Sequence, residues 1–122
     1  MSVRLVRQPE GSSLCGQACV AMAAGVSLDR AIKATGHSRR GGTHTWEIVE
    51  ALRKLGVRCS ERCHRLSRNR PDYPQKAILV VRKNGRGLYH WVYYEAGVHY
   101  DPEDRWPRYD GWRVTSYLEV LG

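Results

Sequence analysis

The chain has 122 residues, of which 42% are hydrophobic and 26% charged, a composition that is typical of globular proteins and argues against a disordered or fibrous class. Its length suits one domain over residues 1–122 with a single hydrophobic core. Lys and Arg number 20 against 12 Asp and Glu, for a net charge of +8. Such a charge would attract an anionic partner such as an acidic protein or a nucleic acid, and a solvated basic face is the alternative interpretation.

The sequence shows no signal for a membrane or for export. No apolar run approaches the roughly 20 residues that a membrane-spanning helix needs. The first residues include arginines but no hydrophobic region of the kind found in secretory signals. We therefore expect a cytoplasmic protein, in which the four cysteines are more often reduced, catalytic or metal-bound than joined in disulfides.

The first half of the chain is predicted to form three helices, each between a capping residue and a glycine. They are expected at residues 14–24, at residues 28–35, and from residue 43 or 45 to about residue 55. The expected N-caps are Ser12 or Ser13, Ser27, and Thr43 or Thr45. The glycines expected to end the helices are Gly25, Gly36 and Gly56.

The second half is predicted to form antiparallel strands. Residues 77–81 are a continuous apolar run typical of a buried strand, whereas residues 57–66 are charged enough to suit an edge strand. A hairpin follows at residues 88–94 and 98–101, and its three-residue turn would place Tyr94 opposite Val98. Residues 114–121 could form a short helix or a closing strand. Helices followed by an antiparallel meander predict an α+β fold, with the N-terminal helices packed on the sheet.

Cys15 is the candidate nucleophile. It lies in the first turn of the first predicted helix, where unpaired N–H groups and the helix dipole favour a thiolate. Gly16 beside it would leave room for a substrate carbonyl. A cysteine in such a position is also common as a small buried residue, so Cys15 alone does not establish catalysis.

His90 and Asp101 would supply the base and the carboxylate that orients it. The predicted hairpin register brings His90 within about one residue of Asp101 and Pro102. A carboxylate at that position fixes the tautomer of an imidazole and stabilises its charged form. Without such a partner, a histidine among apolar neighbours such as Val92 is more often a core residue.

Gln8, seven residues before Cys15, is the candidate oxyanion donor. Its amide N–H groups could bind the oxygen of a tetrahedral intermediate together with the backbone N–H of Cys15. Gln17 is a rival donor, but the helix would turn it away from the thiol.

These residues together resemble the papain-like cysteine peptidases, most closely the bacteriocin-processing peptidases of double-glycine leaders and their stand-alone relatives. The residues that carry the resemblance are Gln8, Cys15-Gly16-Gln17-Ala18-Cys19, Met22, Gly41-Gly42-Thr43, His90-Trp91-Val92 and Tyr100-Asp101-Pro102. The resemblance implies a papain-like α+β fold with Cys15 as nucleophile and His90 as general base. It also implies that Asp101 orients His90 and that Gln8 completes the oxyanion hole.

The expected activity is that of a cysteine peptidase, which hydrolyses a peptide or isopeptide bond through an acyl-thioester on Cys15. Amidases, deamidases and acyltransferases use the same thiol chemistry and remain alternatives. No cofactor or metal is implied. The expected partner is a protein or peptide substrate, and the positive charge of the chain would favour an acidic one.

Two alternatives without catalysis remain open. The first is a structural zinc site, for which the candidate ligands are Cys15, Cys19, Cys59 and Cys63, followed by His64. The second is a basic binding module for nucleic acid or an acidic protein, built on the arginine-rich stretch 53–70 and on the aromatic residues Trp106, Tyr109 and Trp112. Binding by such a module would survive the loss of Cys15.

Overall fold

The structure, a computed structural model, describes residues 3–36, 43–66, 73–83, 89–105 and 112–122. Within these ranges three helices precede a five-stranded antiparallel sheet. The helices are α1 (Cys15–Ala24), α2 (Leu28–Thr35) and α3 (Thr45–Lys54). The strands are β1 (His64–Arg65), β2 (Lys76–Lys83), β3 (Tyr89–Glu95), β4 (Val98–Tyr100) and β5 (Trp112–Glu119). The predicted α+β fold with N-terminal helices is confirmed.

The start of α1 differs from the prediction. The N-cap is Leu14, without a side-chain hydrogen bond, and Ser12 and Ser13 are therefore not the cap. Leu14 is almost completely buried, so core packing at this position replaces capping. The backbone carbonyl of Ser12 instead accepts a hydrogen bond from Gln8 Nε2 at 2.7 Å.

Helix α2 begins and ends as predicted, because the Ser27 hydroxyl accepts from the Arg30 N–H and Gly36 ends the helix in the left-handed region. Helix α3 is capped by His44 rather than by Thr43 or Thr45. Glu47 is the third residue of the helix, and its carboxylate accepts from the His44 N–H at 2.8 Å. A side chain at this position reaches back to the N–H of the N-cap residue, which is therefore His44.

The strand order in the sheet is β1-β5-β2-β3-β4. Strand β2 is central and contains the predicted apolar run, residues 77–81. Residues 57–66 contribute only the two-residue edge strand β1 and an isolated bridge between Cys59 and Val120. The choice left open for residues 114–121 is settled, since β5 is a strand that pairs with both β2 and β1.

The hairpin between β3 and β4 has a two-residue turn, so the predicted pairing of Tyr94 with Val98 is wrong by one residue. Glu95 is opposite Val98, and Tyr94 is opposite His99. The turn residues Ala96 and Gly97 both have positive φ, 50° and 87°, which is the geometry of the tightest hairpin loops.

The main core lies between the helices and one face of the sheet. Its largest fully buried members are Val20, Ile48, Leu52, Ile78, Trp91, Tyr93 and Leu118. A smaller cluster on the opposite face contains Ala77, Leu79, Val81 and Val92, with aromatic side chains packed against it. Cys15 packs against the main core, which places the candidate nucleophile on the helix side of the sheet.

Candidate active site

Cys15 is the first residue of α1 and its thiol is partly exposed, whereas Cys19 one turn later is fully buried. All four cysteines are free. Burial raises the pKa of the thiols of Cys19, Cys59 and Cys63. These three thiols are therefore expected to react slowly at neutral pH, because the thiolate is the reactive form.

The structure brings together His90 and Asp101 as predicted. The Nε2 atom of His90 lies 2.6 Å from Asp101 Oδ1, and both side chains are almost completely buried. The same carboxylate accepts from the backbone N–H groups of Glu103 and Arg105, each at 3.0 Å. These two backbone donors hold the carboxylate in place and compensate its burial.

His90 also interacts electrostatically with Cys15. Because Nε2 is bound to Asp101, Nδ1 is the ring nitrogen that meets the thiol. Burial alone would lower the pKa of His90, but the hydrogen bonds and charges of Asp101 and Cys15 outweigh it and raise that pKa to about 9. His90 is therefore a cation at neutral pH.

Gln8 lies next to the segment that carries Asp101, and its side-chain amide already donates a hydrogen bond within the N-terminal arm. Its backbone N–H donates to the carbonyl of Pro102 at 2.9 Å, which attaches the N-terminal arm next to Asp101. Its Nε2 donates to Ser12 O at 2.7 Å and to Ser12 Oγ at 3.5 Å, and its Oε1 is buried without a hydrogen-bond partner among the described residues. Nε2 could serve an oxyanion only in place of the longer contact with Ser12 Oγ. An open cleft of about 580 Å³ adjoins this side, lined by Arg7, Gln8, Pro9, Glu10, Gly11, Pro102, Glu103 and Arg105.

Close packing requires a glycine at position 16. A Cβ atom at this position would lie 1.9 Å from Thr43 Oγ1 and 3.3 Å from Trp91 Cδ1. Thr43, predicted as a cap, instead packs against the residue that follows the nucleophile. Gln17 is fully buried, and its amide atoms have no hydrogen-bond partner in the described part of the chain.

Tyr89 is a site residue that the sequence did not single out. Its hydroxyl donates to the backbone carbonyl of Thr43 at 2.8 Å, and its ring packs edge-on against Trp91 at 5.6 Å. Burial, followed by the charge of Cys15, raises the pKa of Tyr89. The signal that could have found it is its place directly before His90, on a strand whose alternate residues face the helices.

The structure gives less support to the two alternatives without catalysis, the zinc site and the basic binding module. Among the described residues, no group of three or more His, Cys, Asp or Glu side chains could hold a metal ion, so the zinc alternative has no support in that part of the chain. Trp112, one of the aromatic residues of the proposed binding module, is half-buried against the smaller apolar cluster on the opposite face of the sheet. The exposed cations of the basic stretch are Arg53, Lys54, Arg58, Arg62 and Arg65. The candidates that lie outside the described residues are Gly41, Gly42, Arg68, Arg70, Trp106 and Tyr109.

The chain was compared with protein-family models and with curated proteins, and neither comparison found a match. In the described ranges, none of the helices has the length and apolar character needed to cross a bilayer.

Proposed function

We propose that the protein is a papain-like cysteine hydrolase that cleaves peptide or isopeptide bonds. The observation that carries this proposal is the hydrogen bond between His90 and the buried Asp101, together with the interaction of His90 with Cys15. A thiol at a helix N-terminus, an imidazole beside it and a buried carboxylate behind the imidazole are the parts of a thiol catalytic triad.

The attack begins from the thiolate of Cys15 beside the protonated imidazole of His90. The sulfur adds to the carbonyl carbon of the scissile amide, and the carbonyl oxygen becomes an anion. The backbone N–H of Cys15 has no acceptor within its helix, because it belongs to the first helical residue. This N–H and the second amide proton of Gln8 are the donors available to that oxyanion.

Collapse of the intermediate requires an acid. His90 donates its Nδ1 proton to the leaving nitrogen, the C–N bond breaks and an acyl-thioester remains on Cys15. Neutral His90 then removes a proton from water, which attacks the thioester carbonyl. Release of the acid product restores the thiolate and the imidazolium. Asp101 stays ionised throughout and holds the ring in the required tautomer.

The test is a search for cleaved products. A proteome-derived peptide library is incubated with the wild-type protein and with Cys15→Ala, His90→Ala and Cys59→Ala variants, and new termini are counted by mass spectrometry. We expect cleavage with the wild type and with Cys59→Ala, and none with Cys15→Ala or His90→Ala. Cleavage by a folded Cys15→Ala protein would falsify the mechanism.

The basic binding module remains the second candidate, because the cations of residues 53–65 are exposed. Its distinguishing property is independence from the thiol. A Cys15→Ala protein that binds an oligonucleotide as tightly as the wild type, together with a wild type that cleaves nothing in the library, would favour this candidate.

A further inference from the structure

Two exposed arginines lie directly opposite each other in the sheet. Arg82, near the end of β2, pairs with Arg113, near the start of β5. Residues in this relation have Cβ atoms about 4.5–5.5 Å apart, and like charges there are destabilising. A local arrangement that works against stability is expected where the residues serve function.

Both arginines belong to the sheet face that carries the thiol. Arg82 is also opposite Tyr89 in β3, and its guanidinium carbon lies 5.3 Å from the centroid of the Tyr89 ring. Tyr89 and Cys15 both pack against the main core on the helix side. Because opposed residues share a face, Arg113, Arg82 and Tyr89 form a line across three strands on that side, which we call the arginine row.

The arginine row leads away from the thiol. Neighbouring strands are about 4.8 Å apart, so the row extends roughly 10 Å from Tyr89 to Arg113. Tyr89 interacts electrostatically with both Cys15 and Arg82 and thus connects the row to the nucleophile. An extended peptide advances about 3.3 Å per residue, so the row spans about three residues of a bound substrate.

The two guanidinium groups of the arginine row have no ion-pair partner within the described residues. On the opposite side of the site, Arg7 bonds to Asp104 and Arg105 bonds to Glu103. Neither Arg82 nor Arg113 forms an ion pair with a carboxylate in the described ranges. The row therefore presents guanidinium groups whose planar N–H donors suit carboxylates.

We infer that the arginine row is a specificity subsite for acidic side chains, and that the preferred substrate is a peptide with Asp or Glu about three or four residues from the cleaved bond. The inference rests on the proposed function and adds the substrate class. The net charge of +8 acts in the same direction, since it attracts an acidic chain before it binds.

Thiol-directed peptide probes test the subsite without a known substrate. Two probes carry an iodoacetyl group on the amino terminus of Gly-Gly-Glu-Glu or Gly-Gly-Lys-Lys, and two carry a chloromethyl ketone at the carboxyl end of Glu-Glu-Gly-Gly or Lys-Lys-Gly-Gly. They extend from the thiol in the two chain directions. We expect the Glu probe of one pair to label Cys15 about fivefold faster than its Lys partner at low salt, and the preference to shrink at high salt.

Matched variants test whether the arginine row causes the preference for the Glu probe. The double variant Arg82→Gln/Arg113→Gln should abolish this preference, and Arg113→Gln alone should reduce it. Arg30→Gln/Arg58→Gln removes the same charge from α2 and from the segment beside the C-terminus, and should keep the preference. Removing the like-charged pair should not lower the melting temperature, which serves as the check on folding.

The outcomes separate the two proposals. Equal labelling of Cys15 by the Glu and Lys probes in both directions would overturn the subsite and leave the thiol mechanism standing. A Cys15 that no probe labels faster than the other cysteines would contradict the proposed function itself. Binding of a ten-nucleotide oligothymidylate that needs Arg82 and Arg113, without any preference for Glu, would show that the row binds phosphates, and the acidic-peptide inference would be wrong.

Discussion

His90 Nε2 lies 2.6 Å from Asp101 Oδ1, although His90 has no partner in β4. The ladder between β3 and β4 ends at Tyr93 and Tyr100, and Asp101 follows directly, at the entrance to the turn that begins with Pro102. The backbone N–H groups of Glu103 and Arg105 fix the carboxylate there. The turn after β4, rather than strand pairing, therefore supplies the partner of His90.

The Asp101 carboxylate should keep His90 protonated at neutral pH. Replacement by the neutral amide in Asp101→Asn removes its charge, so the pKa of His90 should fall well below about 9. The ring signals of His90, followed by NMR against pH, measure this. His99 is the internal control, since burial lowers its pKa independently of Asp101. An unchanged His90 titration would mean that Asp101 does not stabilise the imidazolium.

Protonation of His90 should make folding dependent on pH. Its pKa is raised from 6.5 to about 9, so its stabilising contribution is complete below about pH 6.5 and disappears as the pH rises through 9. Between pH 6 and pH 9.5 the free energy of unfolding should fall more in the wild type than in His90→Gln, by on the order of 2 kcal/mol. Urea titrations at both pH values measure the difference. Identical losses in the two proteins would contradict it.

Gly16→Ala should destabilise the protein, because the new methyl group would overlap Thr43 Oγ1. Overpacking of this kind typically costs about 1–3 kcal/mol. Thr43→Ala removes the hydroxyl and should restore part of the loss, although the Trp91 ring still limits the space. A double-mutant cycle by thermal unfolding measures the coupling, and strictly additive costs would show that the contact does not exist.

Gln8→Ala should slow catalysis without slowing alkylation of Cys15. Loss of one oxyanion donor lowers turnover by about 100-fold or more, whereas displacement of iodide from iodoacetamide forms no oxyanion. Both rates are measured on the same preparation, with a peptide from the library as substrate. If both rates fall together, Gln8 positions the nucleophile and does not bind the oxyanion.

Much of the fold followed from local patterns. The cap and glycine of α2 and the apolar run of β2 gave those elements directly, because each signal lies within the element itself. The length of the hairpin turn did not follow, because Ala96 has a φ of 50° and alanine rarely adopts positive φ.

The proximity of His90 and Asp101 was predicted from the sequence, whereas the surroundings of Cys15 were not. The approach of Thr43 to Gly16 joins segments that are distant in sequence. The pairing of Arg82 with Arg113 depends on a register shift between Val80 and Val81, and one extra residue in a strand changes every later pair. Such non-local geometry has no signal in a single sequence.

The most direct test of the account is the rate of iodoacetamide labelling of each cysteine against pH, mapped by mass spectrometry in wild type and His90→Ala. An ordinary thiol ionises near pH 8.5, so labelling of Cys15 that is already fast at about pH 6 would require an activated thiol. We predict fast, selective labelling of Cys15 in the wild type, its loss in His90→Ala, and slow labelling of Cys19, Cys59 and Cys63 in both proteins. Slow labelling of Cys15, or labelling that is unchanged by the loss of His90, would contradict the thiol–imidazole pair at the centre of the account.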